Sequence, residues 1–115
     1  MNVSPKPRVY VIILNWNNYK DTKNCLQSLQ ATSYPDLKII VLDNGSTDNS
    51  GLLLREEFPD VIFIRNEENL GFARGCNVGI RAALEDPLGA YVLLLNNDAE
   101  LTGEGLIEAI EAAER

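Results

Sequence analysis

The sequence predicts an α/β fold in which a mainly parallel sheet carries helices on both faces. Three observations predict it. Short apolar runs rich in β-branched residues recur four times. Stretches with helical spacing of apolar residues separate them. Each apolar run then ends in a burst of polar, turn-forming residues. At 115 residues the chain is one domain, long enough to bury a single core.

The elements follow in order. Residues 9–14 (VYVIIL) are the first predicted strand. Thr22, Cys25, Leu26 and Leu29 recur at helical spacing after it. Residues 38–42 (KIIVL) are the second strand. A short helix is expected from Asp48 to Phe58, with Asp48 as a candidate cap and Pro59 as the stop. Residues 61–64 (VIFI) are the third strand. Ala73, Cys76, Ile80, Ala83 and Leu84 form the next helical stripe, which ends near residues 87–89 (PLG). Residues 91–95 (YVLLL) are the fourth strand, and a run without alternation reads as buried on both faces. Leu106, Ile107, Ile110 and Ala113 mark a fourth helix. The pattern βαβαβαβα implies a Rossmann-like, three-layer α/β/α arrangement.

Composition narrows the partners. The net charge is −7, from 10 basic and 17 acidic residues, which argues against a nucleic-acid backbone as the partner, because such sites need a basic face. One bound nucleotide with its metal is compatible with that balance. No apolar stretch approaches the roughly 20 residues of a membrane span. Residues 1–8 lack a signal-peptide core and read as a short extended leader. Cys25 and Cys76 fall in helical patterns and are expected to be buried, reduced thiols. The chain has no histidine, which removes Ser/His/Asp and Cys/His catalysis and any histidine metal site within it.

In a parallel sheet the four polar bursts lie on one edge, where open α/β folds bind ligands. They are residues 15–18 (NWNN), 43–48 (DNGSTD), 65–69 (RNEEN) and 96–98 (NND). Such residues also turn chains and cap helices. Their gathering from four places favours a site. Asp98, flanked by Asn96 and Asn97, is the best metal candidate: magnesium or manganese takes one or two protein carboxylates plus phosphate oxygens and water. Asp43 and Asn44 carry acceptors and donors suited to the edge of a uracil or thymine ring. Trp16 offers a flat face for a base or fills the core rim. Gly45 permits a tight turn. Gly71, Gly75 and Gly79 keep one helix face smooth, for packing on the sheet or for close approach of a ligand. Arg74 beside them is placed to reach a phosphate or to lie in solvent.

Four segments carry a resemblance. VYVIILNWN (residues 9–17), VLDNGSTDNS (41–50), NLGFARGCNVGI (69–80) and VLLLNNDAE (92–100) are similar, in order and spacing, to the family 2 glycosyltransferases, the rhamnosyltransferase-like enzymes of polysaccharide assembly in particular. The resemblance implies the nucleotide-binding half of a GT-A fold and an enzyme that transfers a sugar from a UDP- or dTDP-sugar, with inversion, to a glycan or lipid-linked acceptor. It implies that Asp43, Asn44 and Ser46 match the base and ribose site. Asn15 and Asn17 match nucleotide contacts after the first strand. Arg74 and Asn77 match a stretch near the diphosphate and ribose. Asn96 to Asp98 match the Asp-x-Asp motif, with Asp98 binding Mg or Mn. Two positions depart from the family pattern. Asn44 stands where a second Asp is common, and Asn96 replaces the first Asp of the metal motif, so the site carries less charge.

No residue after Glu100 matches the family's catalytic base, a carboxylate of the acceptor-binding half. Glu104, Glu108, Glu111 and Glu114 read as the solvated face of the last helix. The expectation is therefore a donor-binding part, residues 1–115, cut before the acceptor half, with no catalytic residue of its own and little or no transfer activity alone. A natural terminal helix is the other reading of its end. With the strand order 3-2-1-4 of related folds, the fourth strand becomes an edge, and self-association through residues 91–95 is expected. A cytoplasmic location is expected, peripheral at the inner face of the membrane through acceptor lipids or segments outside this chain. The rival from another class is a non-catalytic nucleotide- or protein-binding module on a degenerate transferase fold. A nucleotidyltransferase is disfavoured, because no glycine- and lysine-rich loop follows the first strand.

Overall fold

The computed structural model describes residues 7–32, 34–98 and 103–114. Eight elements alternate: β1 (Arg8–Asn15), α1 (Tyr19–Gln30), β2 (Leu37–Asn44), α2 (Ser50–Glu57), β3 (Ile62–Asn66), α3 (Phe72–Leu84), β4 (Gly89–Leu95) and α4 (Gly103–Glu114). The strands form one parallel sheet in the order β3-β2-β1-β4. The fold class and the alternation read from the sequence are both present.

The period of two along β1 divides the core. Val9, Val11 and Ile13 face Cys25, Leu26 and Leu29 of α1, Leu54 of α2, and Leu106 and Ile110 of α4. Tyr10 and Ile12 face the other way, with Ile40, toward Ala83 of α3. Three helices therefore cover one face, and α3 covers the other almost alone.

That asymmetry corrects one expectation. β4 is not buried on both faces. Tyr91, Leu93 and Leu95 pack against the larger cluster, while Val92 and Leu94 are 38% and 42% exposed. A single helix is too narrow to cover four strands, and α3 packs chiefly over β1 and β2. A second correction concerns Leu84 and Ala73, both exposed. The buried positions of α3 are Gly75, Cys76, Gly79 and Ala83. The glycines let the helix lie close to the sheet. A Cβ on Gly75 would stand 2.8 Å from Leu14 Cδ1, and one on Gly79 would stand 2.9 Å from Ile12 Cγ2. Packing is therefore the role of Gly75 and Gly79. Gly71, outside the helix, has open space around it and a φ of +81°.

Asp48 acts at α2, but one residue earlier than a cap. Asn49 holds the cap position without a side-chain bond, and Asp48 Oδ1 accepts from the Ser50 amide at 2.9 Å. The Ser50 hydroxyl and then its amide hold the Asp48 carboxyl below its usual range. Cys25 and Cys76 are both buried and neither forms a disulfide, and burial pushes the Cys76 thiol up. Among the described residues no helix is long and apolar enough to cross a membrane.

At the amino-terminal edge of the sheet, Arg8 bridges Asp36 at 3.0 Å and Asp86 at 2.8 Å. The Tyr10 hydroxyl donates to the same Asp86 carboxylate at 2.6 Å, and the Leu88 amide donates to its other oxygen at 2.9 Å. The Tyr10 hydroxyl and then the Arg8 guanidinium hold the Asp86 carboxyl down at about 2. This clasp ties β1 to the turns before β2 and β4, far from the polar edge.

Candidate functional site

The carboxyl ends of all four strands meet at the opposite edge. β1 and β2 run into it with their polar residues still in register, Asn15 beside Asp43. β2 and β3 do likewise, Asn44 beside Asn66. The strands are thus longer than their apolar runs, and their last rungs are amides and a carboxylate.

Asn15 is fully buried at the centre of a polar network. Its amide nitrogen lies 3.1 Å from Asp43 Oδ1, 3.2 Å from Ser46 Oγ and 3.0 Å from Ser50 Oγ. Its carbonyl oxygen accepts from the Thr22 hydroxyl at 2.7 Å. Asp43 is 1% exposed, and its Oδ1 also accepts from Ser46 Oγ at 2.5 Å. Its Oδ2 rests against Gly51 in the first turn of α2, where a Cβ would collide with it. Among the described residues the charge set against it is Arg65, at 3.9 Å and half exposed. A carboxylate buried at a helix amino terminus with this many donors is well compensated.

Asn44 knits the next layer. Its oxygen accepts from Asn66 Nδ2 at 3.0 Å and from the Leu70 amide at 3.1 Å. Its nitrogen donates to Asn69 Oδ1 at 3.0 Å and to the Gly71 carbonyl at 3.2 Å. All four of its hydrogen-bonding positions are taken by protein. Gly45, at φ +74°, lets β2 turn directly beneath this loop: a Cβ there would strike the backbone of Glu68 and Asn69. Asn17 adopts φ +50° and cradles the same turn from β1. Its oxygen accepts from the Thr47 and Asp48 amides, and its own amide donates to Ser46 Oγ at 3.0 Å.

The end of β4 differs. Asn96 and Asp98 are exposed, and Asn97 is half buried. The three residues line a cleft of about 380 Å³ with Leu14, Trp16, Asn18 and Phe72. Trp16 is 48% exposed and Phe72 57%, so both rings face the opening rather than the core. That exposure counts against Trp16 filling the core rim and leaves its face open in the cleft. Arg74 and Asn77 are exposed on α3 beyond Phe72 and do not line the cleft. Glu108 and Glu111 are solvated, as expected; Glu104 and Glu114 lie outside the described side chains.

The donor set bears on a metal. Among the described residues no three acidic, cysteine or histidine side chains gather into a ready cage. Asp98 stands as a lone carboxylate beside two amides. That arrangement fits a hard cation arriving with a diphosphate that supplies the remaining oxygens, and does not fit a cage built wholly of protein.

Phe72, Thr22 and Ser50 escaped the sequence reading. Phe72 is the only aromatic in a stretch of small residues, and Thr22 the only hydroxyl in an apolar stripe; those were the available signals.

Comparison with known proteins places this geometry. The model of the glycosyl transferase family 2 matches residues 10–115. The chain belongs to that family. A glycosyltransferase, GlyA, of Streptococcus pneumoniae is 33% identical over 100 residues, 85% of this chain and 14% of that protein. The poly-beta-1,6-N-acetyl-D-glucosamine synthase of Staphylococcus aureus is 30% identical over 85% of the chain and 23% of the relative. Among solved structures, the mannosyltransferase PcManGT of Pyrobaculum calidifontis, in complex with GDP-Man and Mn2+, superposes with a TM-score of 0.78 at 25% identity. It aligns with 94% of this chain, which spans 32% of it. TarS of S. aureus, residues 1–349 with UDP-GlcNAc, gives 0.79 at 25% identity, over 93% of this chain and 31% of that fragment. The family 2 chain thus spans less than a third of each of these proteins, and its fold is that of the GT-A glycosyltransferases.

Proposed function

We propose that this family 2 chain is the donor- and metal-binding part of an inverting glycosyltransferase. The enzyme would move a sugar from a UDP- or dTDP-sugar to a glycan or lipid-linked acceptor in polysaccharide assembly, at the inner face of the membrane. The observation that carries the reading is the cleft at the end of β4: a lone carboxylate, Asp98, two amides and two open aromatic faces, on the edge where a parallel sheet binds ligands. Asp98 would hold Mg or Mn, with Asn96 beside it, and the cation would neutralise charge on the departing diphosphate. Trp16 supplies a flat wall for the ligand. Asn15, Asp43 and Ser46 shape the nucleoside side of the edge, with Asn44 and Asn17 holding the turns around it. Arg74 and Asn77 would reach the diphosphate only when a ligand brings it over α3. The base that takes the acceptor proton would come from outside this chain.

Calorimetric titration with UDP, dTDP and GDP, each with and without Mn2+, tests the reading. Binding that needs Mn2+ and disappears in Asp98→Ala is expected, with a uracil or thymine nucleotide preferred. A folded chain that binds none of the three would overturn it. Residues 91–95, as an uncovered edge with Val92 and Leu94 outward, are also expected to drive self-association of the chain alone. Light scattering that gives a monomer mass from low to high micromolar concentration would refute that part.

A further inference from the structure

The buried face of α1 reaches two successive residues at the end of β4. The Cys25 thiol faces the Asn96 carbonyl at 3.8 Å, and the Thr22 hydroxyl accepts from the Asn97 side-chain amide at 3.2 Å. Thr22 and Cys25 are three apart on one helix face and both fully buried. Thr22 is the more consequential. Its hydroxyl accepts from Asn97 while donating to Asn15 Oδ1 at 2.7 Å, and Asn15 in turn holds Asp43 at 3.1 Å. A hydroxyl has one proton to give, and here it is committed to Asn15, so its lone pair is turned toward Asn97. A continuous line of hydrogen bonds therefore runs from Asp43 through Asn15 and Thr22 to Asn97, the neighbour of Asp98.

We propose that Thr22 is a positioning residue for the donor site: it fixes the end of β4 against the buried network, so that Asp98 is presented to the cation in one geometry and nucleotide and metal are felt at one another's subsites. This rests on the donor-site reading above. The Cys25 contact is the other polar link from α1 and meets the Asn96 backbone; among the described bonds Thr22 is the partner that holds a side chain of this segment. Without the bond, Asn97 is free to turn outward and the segment loses the link that runs through Thr22 to Asn15 at the sheet centre. Contacts one step behind a metal ligand commonly change metal affinity by about ten- to a hundredfold.

The test uses Thr22→Val, which keeps the shape and removes the hydroxyl, Thr22→Ser, which restores it, and Asn97→Ala, which breaks the same bond from the exposed side and leaves Asn15 paired. Two readouts separate the possibilities. The first is ligand-free: amide NMR of the Asn97 side chain and of the Asn96 to Asp98 backbone. These signals are expected to move or broaden in Thr22→Val and to return in Thr22→Ser. The second is Mn2+ binding in the presence of UDP, expected to weaken about tenfold in Thr22→Val and in Asn97→Ala, and no further in the double variant. Binding of UDP without metal is expected to change less than twofold.

Unmoved signals at Asn96 to Asp98, or Mn2+ affinity unchanged in folded Thr22→Val, would overturn the inference while leaving the donor site standing. Additive losses in the double variant would also overturn it, since the two side chains would then act separately. If Thr22→Val unfolds, Asn97→Ala alone decides: moved backbone signals with weakened Mn2+ binding support the role, and wild-type behaviour overturns it. A wild-type chain that binds neither Mn2+ nor UDP would remove the donor-site reading and this inference with it.

Discussion

The ends of β1 and β2 and the end of β4 carry the same residue types, asparagine and aspartate, in opposite states. Asn15, Asp43 and Asn44 are buried, at 0%, 1% and 1% exposure, and their polar atoms are met by protein. Asn96 and Asp98 are exposed in an open cleft. The first group has the properties of a foundation and the second those of a contact surface. Residue type and position at a strand end do not separate the two; the helix lying over each strand end does. α2 and the loop of residues 66–71 close over the end of β2, whereas no described segment covers Asn96 and Asp98.

Substitutions should split along that line. Asp43→Ala is expected to cost most, about 3 kcal/mol in urea unfolding, because it strands the Asn15 and Ser46 donors in the core. A loss under 1 kcal/mol would mean that water repairs the network and that the site is less closed than its burial implies. Gly75→Ala comes next, at about 2 kcal/mol, since its methyl would press on Leu14 and on the Asn44 amide, 2.9 Å away. It ties helix packing to the foundation. The smallest effect on folding is expected at Asp98→Ala, within about 0.5 kcal/mol of wild type. A clear loss of stability there would erase the contrast, and Asp98 would join the foundation.

Acid sharpens the comparison from the far edge of the sheet. Asp86 titrates at about 2 in the folded chain against an ordinary value near 3.8. A carboxyl whose folded value is depressed stabilises the fold above the unfolded value and loses that contribution as pH falls through the folded one. Stability is therefore expected to decline from about pH 4 toward pH 2, and Asp86→Asn is expected to flatten that limb. An unchanged slope in the variant would assign the acid sensitivity elsewhere. Tyr10 works at the other end of the scale, its hydroxyl held above its ordinary range by the bond to Asp86.

Much of this was legible in the sequence, and the reasons differ by element. The four strands were readable because β-branched runs stop at turn residues, and the strand order 3-2-1-4 follows the related folds. The state of Asn44 was not readable. Its partners, Asn66, Asn69, Leu70 and Gly71, sit beyond a helix and a strand, and no local pattern links them. The exposure of Val92 and Leu94 was hidden for a related reason: an apolar run records what a strand tolerates, and the number of helices on each face is a property of the whole chain. Thr22 reads in the sequence as one more position of an apolar stripe, although a buried hydroxyl there needs hydrogen-bond partners.

The sheet order also sets a schedule for synthesis. β1 lies in the middle, between β2 and β4, yet its two neighbours are made far apart in time. β2 follows directly, and β3 and α3 can join it. The slot beside Arg8 and Val9 stays empty until Gly89 and Tyr91 have left the ribosome. During that interval the most deeply buried strand of the protein presents a bare flank of backbone donors and acceptors to the cell. Translation speed through α3, and any chaperone that waits at the tunnel exit, therefore bear on yield more than the finished fold would suggest.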